Sequence, residues 1–172
     1  MFLQTNIIIH LYIQILYIQL NIEKIIKTEA ELPLSKKVII NLLYTENWVM
    51  DKINIELKAH DISLQQFNVL RILKGQKEKP ANLSTIQERM VTKMSNTTRL
   101  VDKLITKGYV KRIICKSNRR KVEITITQKG KLFLNKVSPV MTNFENEVTS
   151  NLTEKDLIHL NELLNKLRNS NY

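Results

Sequence analysis

The sequence has few of the residues on which disulfide-bonded, metal-binding and hairpin-rich folds depend. It contains one cysteine, three glycines, three prolines and three histidines in 172 residues. A single cysteine excludes an intramolecular disulfide and a multi-cysteine zinc site. His10, His60 and His159 are too far apart for the usual metal-ligand spacings, so no metal is expected. Because glycine and proline are scarce, we expect a mainly helical fold.

The sequence also lacks the residue arrangements that catalysis commonly uses. It has no glycine-rich phosphate loop, no serine or cysteine paired with a histidine at a suggestive spacing, and no paired carboxylates in an apolar setting. We therefore predict that the protein is not an enzyme, has no catalytic residues and needs no cofactor.

Acidic residues are few in the middle of the chain, which makes that region strongly basic. The 27 Lys and Arg residues against 16 Asp and Glu give a net charge of +11. Residues 71–136 hold 18 of the basic and 4 of the acidic residues, a net of +14, so the remainder carries −3. Such a concentration is typical of a nucleic-acid-binding module, whereas a merely solvated surface would distribute the excess more evenly.

An apolar run near the N-terminus, Ile7–Leu20, covers only 14 residues. A transmembrane helix needs about 20, and no basic segment or small-residue cleavage site marks the run as a signal peptide. Three interpretations remain open: a helix packed on the protein or a partner subunit, a weak membrane-surface segment, or an extension translated from an upstream start. No membrane partner is expected, and the predicted location is the cytoplasm.

Capping residues and apolar side chains at helical spacing predict a succession of helices. Ser63 and Gln66 form the pattern of a capping box, in which each side chain binds the other residue's backbone N–H. Asn82, Thr127 and Thr153 precede apolar periodic segments and are expected to cap them. The predicted helices cover about residues 35–58, 63–75, 82–90, 95–107, 127–148 and 153–167, with Leu132 among the inward residues of the fifth.

Between residues 110 and 127 the hydrophobic period changes from 3.6 to 2. Val122, Ile124 and Ile126 alternate with polar residues, which predicts a half-buried strand. Val110–Cys115 is rich in β-forming residues, and the polar turn 116–120 joins the two segments. The predicted fold class is therefore mainly α with a small β-wing.

The order of short helix, turn, polar-faced helix and hairpin is that of a winged helix-turn-helix. The second helix of such a motif enters the major groove, and a basic hairpin tip suits phosphates or a narrow minor groove. Thr97, Leu100, Val101 and Leu104 are expected to face the core. The candidate DNA-binding residues are Ser95, Asn96, Thr98, Arg99 and Lys103 on the opposite side of this helix, and Lys116, Arg119, Arg120 and Lys121 in the hairpin.

Four motifs occur in order between about Ser35 and Leu167. They are residues 62–71 (ISLQQFNVLR), 96–104 (NTTRLVDKL) followed by Lys107-Gly108, 118–127 (NRRKVEITIT) with Gly130, and 152–156 (LTEKD). Together they resemble the MarR family of winged-helix transcriptional regulators. Two departures are Asn118, where the family usually has an acid that orients the wing arginine, and Val91–Thr92, where the turn lacks the usual glycine.

The resemblance implies a division of the chain and a mode of action. A winged helix-turn-helix at 61–130 would lie between dimerisation helices at 35–60 and 131–172, with 1–34 as an N-terminal extension. The protein would bind a palindromic operator in double-stranded DNA as a homodimer. It would act as a repressor that a small-molecule effector releases from the DNA. Tyr44 and Trp48 are candidates for an effector pocket, although aromatic residues there more often belong to a core or a dimer interface.

Two further interpretations stay open from the residues. A winged helix can serve as an architectural or protein-interaction module without a specific operator, although the basic middle argues against a purely protein partner. Cys115 has Lys111, Arg112 and Lys116 near it in sequence, which would favour a thiolate. Redox-sensing members of the family, however, usually carry their reactive cysteine in the N-terminal part.

Overall fold

The computed structural model of the protein describes residues 22–77, 79–92, 96–114 and 122–169. The expectation of a mainly helical fold with a small two-stranded sheet is confirmed. None of the helices in these ranges has the length and apolar character needed to cross a membrane, and Ile7–Leu20 lies outside them. The elements are α1 (Ile22–Ile25), α2 (Leu34–Lys58), α3 (Leu64–Gly75), α4 (Leu83–Arg89), α5 (Thr97–Thr106), β1 (Val110–Ile114), β2 (Val122–Ile126), α6 (Gln128–Val148) and α7 (Glu154–Asn169).

The described residues belong to two compact units, which divide between residues 50 and 51. The described part of the first unit comprises α1 and the first part of α2. Ile22 and Glu23 are buried there, and Glu23 Oε1 lies 2.5 Å from Lys37 Nζ. This hydrogen-bonded ion pair lowers the pKa of Glu23 and raises the pKa of Lys37. The expected domain boundaries at 34/35, 60/61 and 130/131 stay predictions.

The second unit is built around α3, which contacts α4, α5, α6 and β2. Leu70 and Val69 on α3 are completely buried because the helix is covered on several sides. The same core receives one or two large apolar side chains from each surrounding element. Its other fully or almost fully buried members include Leu57, Phe67, Ile86, Val101, Leu104, Ile124, Leu134 and Val137.

Side chains at the helix starts satisfy backbone N–H groups in the way that the sequence predicts. Ser63 Oγ accepts a hydrogen bond from the Gln66 N–H at 3.2 Å, and Gln66 Oε1 accepts one from the Ser63 N–H at 3.1 Å. A reciprocal pair at the start of α7 joins Thr153 and Asp156. Asn82 and Thr127 cap α4 and α6.

The wing strands pair in an antiparallel register that places Val110 opposite Ile126. The residue preceding the cap of α4 joins them through an isolated bridge: the Ala81 N–H donates to the Ile124 carbonyl at 2.9 Å, and the Ile124 N–H donates to the Ala81 carbonyl at 2.7 Å. The wing is therefore hydrogen-bonded to the beginning of the helix-turn-helix segment.

Two expectations about the helices are wrong in detail. Leu132 was expected to face the core, but it is 61% exposed because it lies on the opposite side of α6 from Leu134 and Val137. The helix expected at 95–107 is shorter: α5 begins at Thr97, because Asn96 has the non-helical backbone of a cap.

Candidate nucleic-acid interface

Helix α5 separates buried from exposed side chains along its whole length. Its buried side carries Thr97, Val101 and Leu104, and Leu100 is half-buried. These side chains fix the rotation of the helix about its axis, so its other side faces solvent. The inward and outward faces predicted from the sequence are thus confirmed, whereas DNA contact by the outward residues stays a prediction. The exposed side carries Asn96, Thr98, Arg99, Asp102 and Lys103.

Asn96 has a structural role as well as an exposed position. Its Oδ1 accepts a hydrogen bond from the Arg99 N–H at 3.1 Å, which satisfies one of the free donors at the start of α5. The side-chain NH2 group of Asn96 takes no part in this bond. Helix capping therefore uses the acceptor that a two-bond contact with adenine would also need.

Asp102 forms an ion pair with a residue of the wing. Its Oδ1 lies 2.9 Å from Nη2 of Arg112 on β1, and the Arg112 side chain is only 29% exposed. The sequence does not predict a contact between these two residues, because an ion pair between a helix and a strand leaves no periodic pattern. The pair neutralises the carboxylate on an otherwise polar or basic face, which favours the approach of a polyanion.

The end of α5 is hydrogen-bonded to two other segments, the residues before α3 and the start of α6. Lys107 Nζ lies 2.7 Å from Oδ2 of Asp61, which precedes α3. From the start of α6, Lys129 Nζ donates to the Lys107 carbonyl at 2.9 Å, and Thr127 Oγ1 donates to the Gly108 carbonyl at 2.7 Å. Gly108 has a φ of +72°, a left-handed conformation that suits glycine at the end of a helix. These bonds fix the direction of α5 relative to α3 and α6.

Several of the sequence-predicted site residues lie outside the described ranges. They are Ser95 before α5 and Lys116, Arg119, Arg120 and Lys121 in the wing turn, together with Cys115 and Asn118. The strands that lead into the turn are described as far as Ile114 and from Val122. The residues of the wing turn are therefore candidate DNA contacts that rest on the sequence pattern alone.

The candidate effector residues Tyr44 and Trp48 lie on the first-unit part of α2. Both are exposed, at 44% and 40%. A role in an effector pocket stays a prediction. Within the described ranges no three His, Cys, Asp or Glu side chains are grouped as a metal site would require.

Comparisons with known proteins agree with this geometry. The model of the MarR family matches residues 62–122, from the residue before the α3 cap to the first residue of β2. TcaR, a helix-turn-helix transcriptional regulator of Staphylococcus aureus strain Newman, is 30% identical over 109 residues, which are 61% of this chain and 69% of TcaR. The chain belongs to the MarR family.

Other transcriptional regulators match over different lengths. The transcriptional regulator SarZ of Staphylococcus haemolyticus strain JCSC1435 is 31% identical over 97 residues, 56% of this chain and 65% of SarZ. The match thus covers just under two thirds of SarZ. The transcriptional repressor MprA of Escherichia coli K12 is 25% identical over 151 residues, 85% of this chain and 86% of MprA.

Solved structures show the same fold. A MarR-like transcription regulator from Bacillus cereus ATCC 10987 has a TM-score of 0.72 at 22% identity, covering 80% of this chain and 98% of its own. The organohalide-sensing regulator RdhR-CbdbA1625, solved with 2,4-dichlorophenol bound, has a TM-score of 0.74 at 18% identity, covering 81% and 82%. The chain thus has the winged helix-turn-helix fold of the MarR family.

Proposed function

We propose that this MarR-family protein is a cytoplasmic transcriptional regulator that binds a specific double-stranded DNA sequence. The observation that carries the proposal is the amphipathic α5, whose buried side leaves Thr98, Arg99 and Lys103 exposed together. This face belongs to the basic segment of net charge +14. An exposed polar helix at the second position of a helix-turn-helix is suited to base edges in the major groove.

We further propose that the protein acts as a homodimer on a palindromic operator. Helix α7 has no buried residue in the single chain, although it carries an apolar stripe. A second copy would remove this surface from water, since exposed stripes of this kind favour association. Two-fold symmetry would then present two α5 helices to half-sites about 10 base pairs apart. The exposed residues of the stripe are Leu157, Leu160, Leu163 and Leu167.

The dimer is tested by sedimentation at micromolar concentration. Leu160→Glu combined with Leu163→Glu places two charges in the stripe and is expected to give monomers or unfolded chains. Lys155→Glu, on the side of α7 away from the stripe, is the matched control and should remain a dimer. A folded monomer in the wild type would refute the proposal.

Repression and its release by a small molecule complete the proposed function. Support comes from relatives: MprA is named a repressor, and RdhR-CbdbA1625 is described as organohalide-sensing. By analogy, an effector of this protein would lower its affinity for the operator, and Tyr44 and Trp48 are the candidate contacts.

Selection of bound sites from a random DNA pool tests the proposal as a whole. The expected result is a two-fold symmetric sequence that the protein prefers over competitor DNA. Equal binding to all sequences would instead support the architectural alternative.

A further inference from the structure

A basic cleft of about 390 Å³ lies between α3 and the end of α4. Arg71 of α3 and Arg89, the last residue of α4, both line it. Asn68 and Gly75 belong to the same side of α3, and Val91 follows α4. The cleft combines two guanidinium groups with an amide, all of which can donate hydrogen bonds to an oxyanion.

Neither guanidinium forms an ion pair with a carboxylate in the described ranges. The ion pairs found there join other residues. The guanidinium carbon of Arg71 lies 5.9 Å from the centroid of the Phe67 ring. This contact holds the side chain by a cation–π interaction without cancelling its charge. Both positive charges therefore remain available to an anion.

The position of the cleft in the fold indicates which anion it meets. Arg89 and Val91 stand where α4 ends and the connection to α5 begins. The first helix of a helix-turn-helix crosses the DNA backbone while the second enters the groove. Guanidinium groups bind phosphate oxygens with two parallel hydrogen bonds. We propose that Arg71 and Arg89 together bind a phosphate of the DNA backbone beside the groove that α5 enters, an inference that rests on the proposed function.

Gly75 offers a way to test the cleft without removing a native contact. A β-carbon added at this position would meet no atom within 4 Å. A side chain at residue 75 therefore begins in open space at the wall of the cleft. Gly75→Glu would place a negative charge near the two arginines, and Gly75→Gln is a control of the same size without the charge.

The experiment measures the affinity of the full-length protein for its selected DNA site over a series of salt concentrations. Arg71→Gln and Arg89→Gln are each expected to weaken binding about fivefold near 0.15 M salt and to make the salt dependence shallower by about 0.9 in slope for each subunit of the dimer. Base preference should not change, because phosphate contacts carry no sequence information. Gly75→Glu should weaken binding while Gly75→Gln binds like the wild type. Lys155→Gln, which removes an exposed charge on α7, should leave affinity and slope unchanged.

Two controls make the result decisive. Thermal unfolding of each variant checks that the fold is retained, and inorganic phosphate is titrated into the DNA-free protein while the arginine side-chain NMR signals are followed. Wild-type affinity and slope in both arginine variants would overturn the inference and leave the proposed function intact. A second outcome would also overturn the inference: the arginines are needed for binding of inorganic phosphate, but their substitution leaves the salt slope of DNA binding unchanged. The cleft would then be a site for small anions. If the wild type does not bind DNA, the proposed function is overturned as well. This result would be known before any variant is compared.

Discussion

Gly130 lies so close to Tyr109 that residue 130 has no room for a β-carbon. An added Cβ would fall 3.0 Å from the carbonyl carbon of Tyr109 and 2.9 Å from Cγ1 of Ile126. Tyr109 immediately precedes β1, and Ile126 ends β2. The start of α6 can therefore lie against the base of the wing only because residue 130 is a glycine.

Gly130→Ala is expected to destabilise the protein by about 1–3 kcal/mol, the usual cost of forcing an extra carbon into a packed site. The measurement is the free energy of unfolding in urea. Gly75→Ala is the control, because an added methyl group there meets open space and alanine favours the helix. Equal stability of the two variants would contradict the prediction.

Asn96 is expected to contribute to helix stability as a cap, whether or not it also contacts a base. Asn96→Ala removes the acceptor for the Arg99 N–H and should cost about 0.5–2 kcal/mol of helix stability. Asn96→Ser keeps a capping oxygen but cannot form two bonds to adenine. Site selection with Asn96→Ser therefore isolates base recognition, and an unchanged preference would show that Asn96 only caps the helix.

Arg99 and Lys103 are expected to make different kinds of contact with DNA. Arg99 can bind guanine O6 and N7 with two donors, so Arg99→Ala should cost about 1–3 kcal/mol and relax the preference at one base position. Lys103→Ala should weaken binding to all sequences alike, as the loss of a phosphate contact does. Selection from one random pool with both variants distinguishes these outcomes. An unchanged preference in Arg99→Ala would remove Arg99 from base recognition.

Arg120 in the wing turn is predicted from the sequence to contact phosphate or an A·T-rich minor groove. Arg120→Ala should lower affinity for specific and non-specific DNA and reduce the salt slope by about one for each subunit of the dimer. The measurement is the affinity at several salt concentrations. Full affinity with an unchanged slope would mean that Arg120 is an ordinary surface residue.

The stability of α7 is expected to depend on pH through the carboxyl group of Asp156. Hydrogen bonds from the Thr153 hydroxyl and the Thr153 N–H hold the pKa of Asp156 below its usual value, which is about 3.9. Because the folded-state pKa is the lower one, the stabilising contribution is present above about pH 4 and is lost as the pH falls through the folded-state value. The difference in unfolding free energy between the wild type and Asp156→Asn should thus shrink between pH 7 and pH 3. A difference that does not change with pH would contradict this.

Local features of the fold were predictable because they depend on residues close in sequence. The Ser63–Gln66 capping box and the exposed face of α5 follow from spacings of three and four residues, and both are confirmed. The prediction for Leu132 was wrong because this apolar residue lies between two inward positions in the sequence. Two residues along a helix correspond to a rotation of about 200°, so Leu132 faces solvent.

Contacts between distant segments were not predictable from one sequence. Asp102 and Arg112 lie on different elements, and only the folded chain brings their charges within 2.9 Å. Arg71 and Arg89 line one cleft although seventeen residues separate them in the sequence. Such pairs leave no periodic pattern, because the first depends on the packing of α5 against β1 and the second on the packing of α3 against α4.

The bridge between Ala81 and Ile124 has a consequence for the DNA itself. It joins the chain before α4 to the middle of β2, while Thr127 joins the end of β2 to the residues that follow α5. The base of the hairpin is therefore hydrogen-bonded both to the chain before α4 and to the end of α5. If α5 and the hairpin both contact DNA as proposed, a target with one base pair inserted between the two points of contact would have to untwist or bend to be bound, because these hydrogen bonds hold α5 and the base of the hairpin at one spacing.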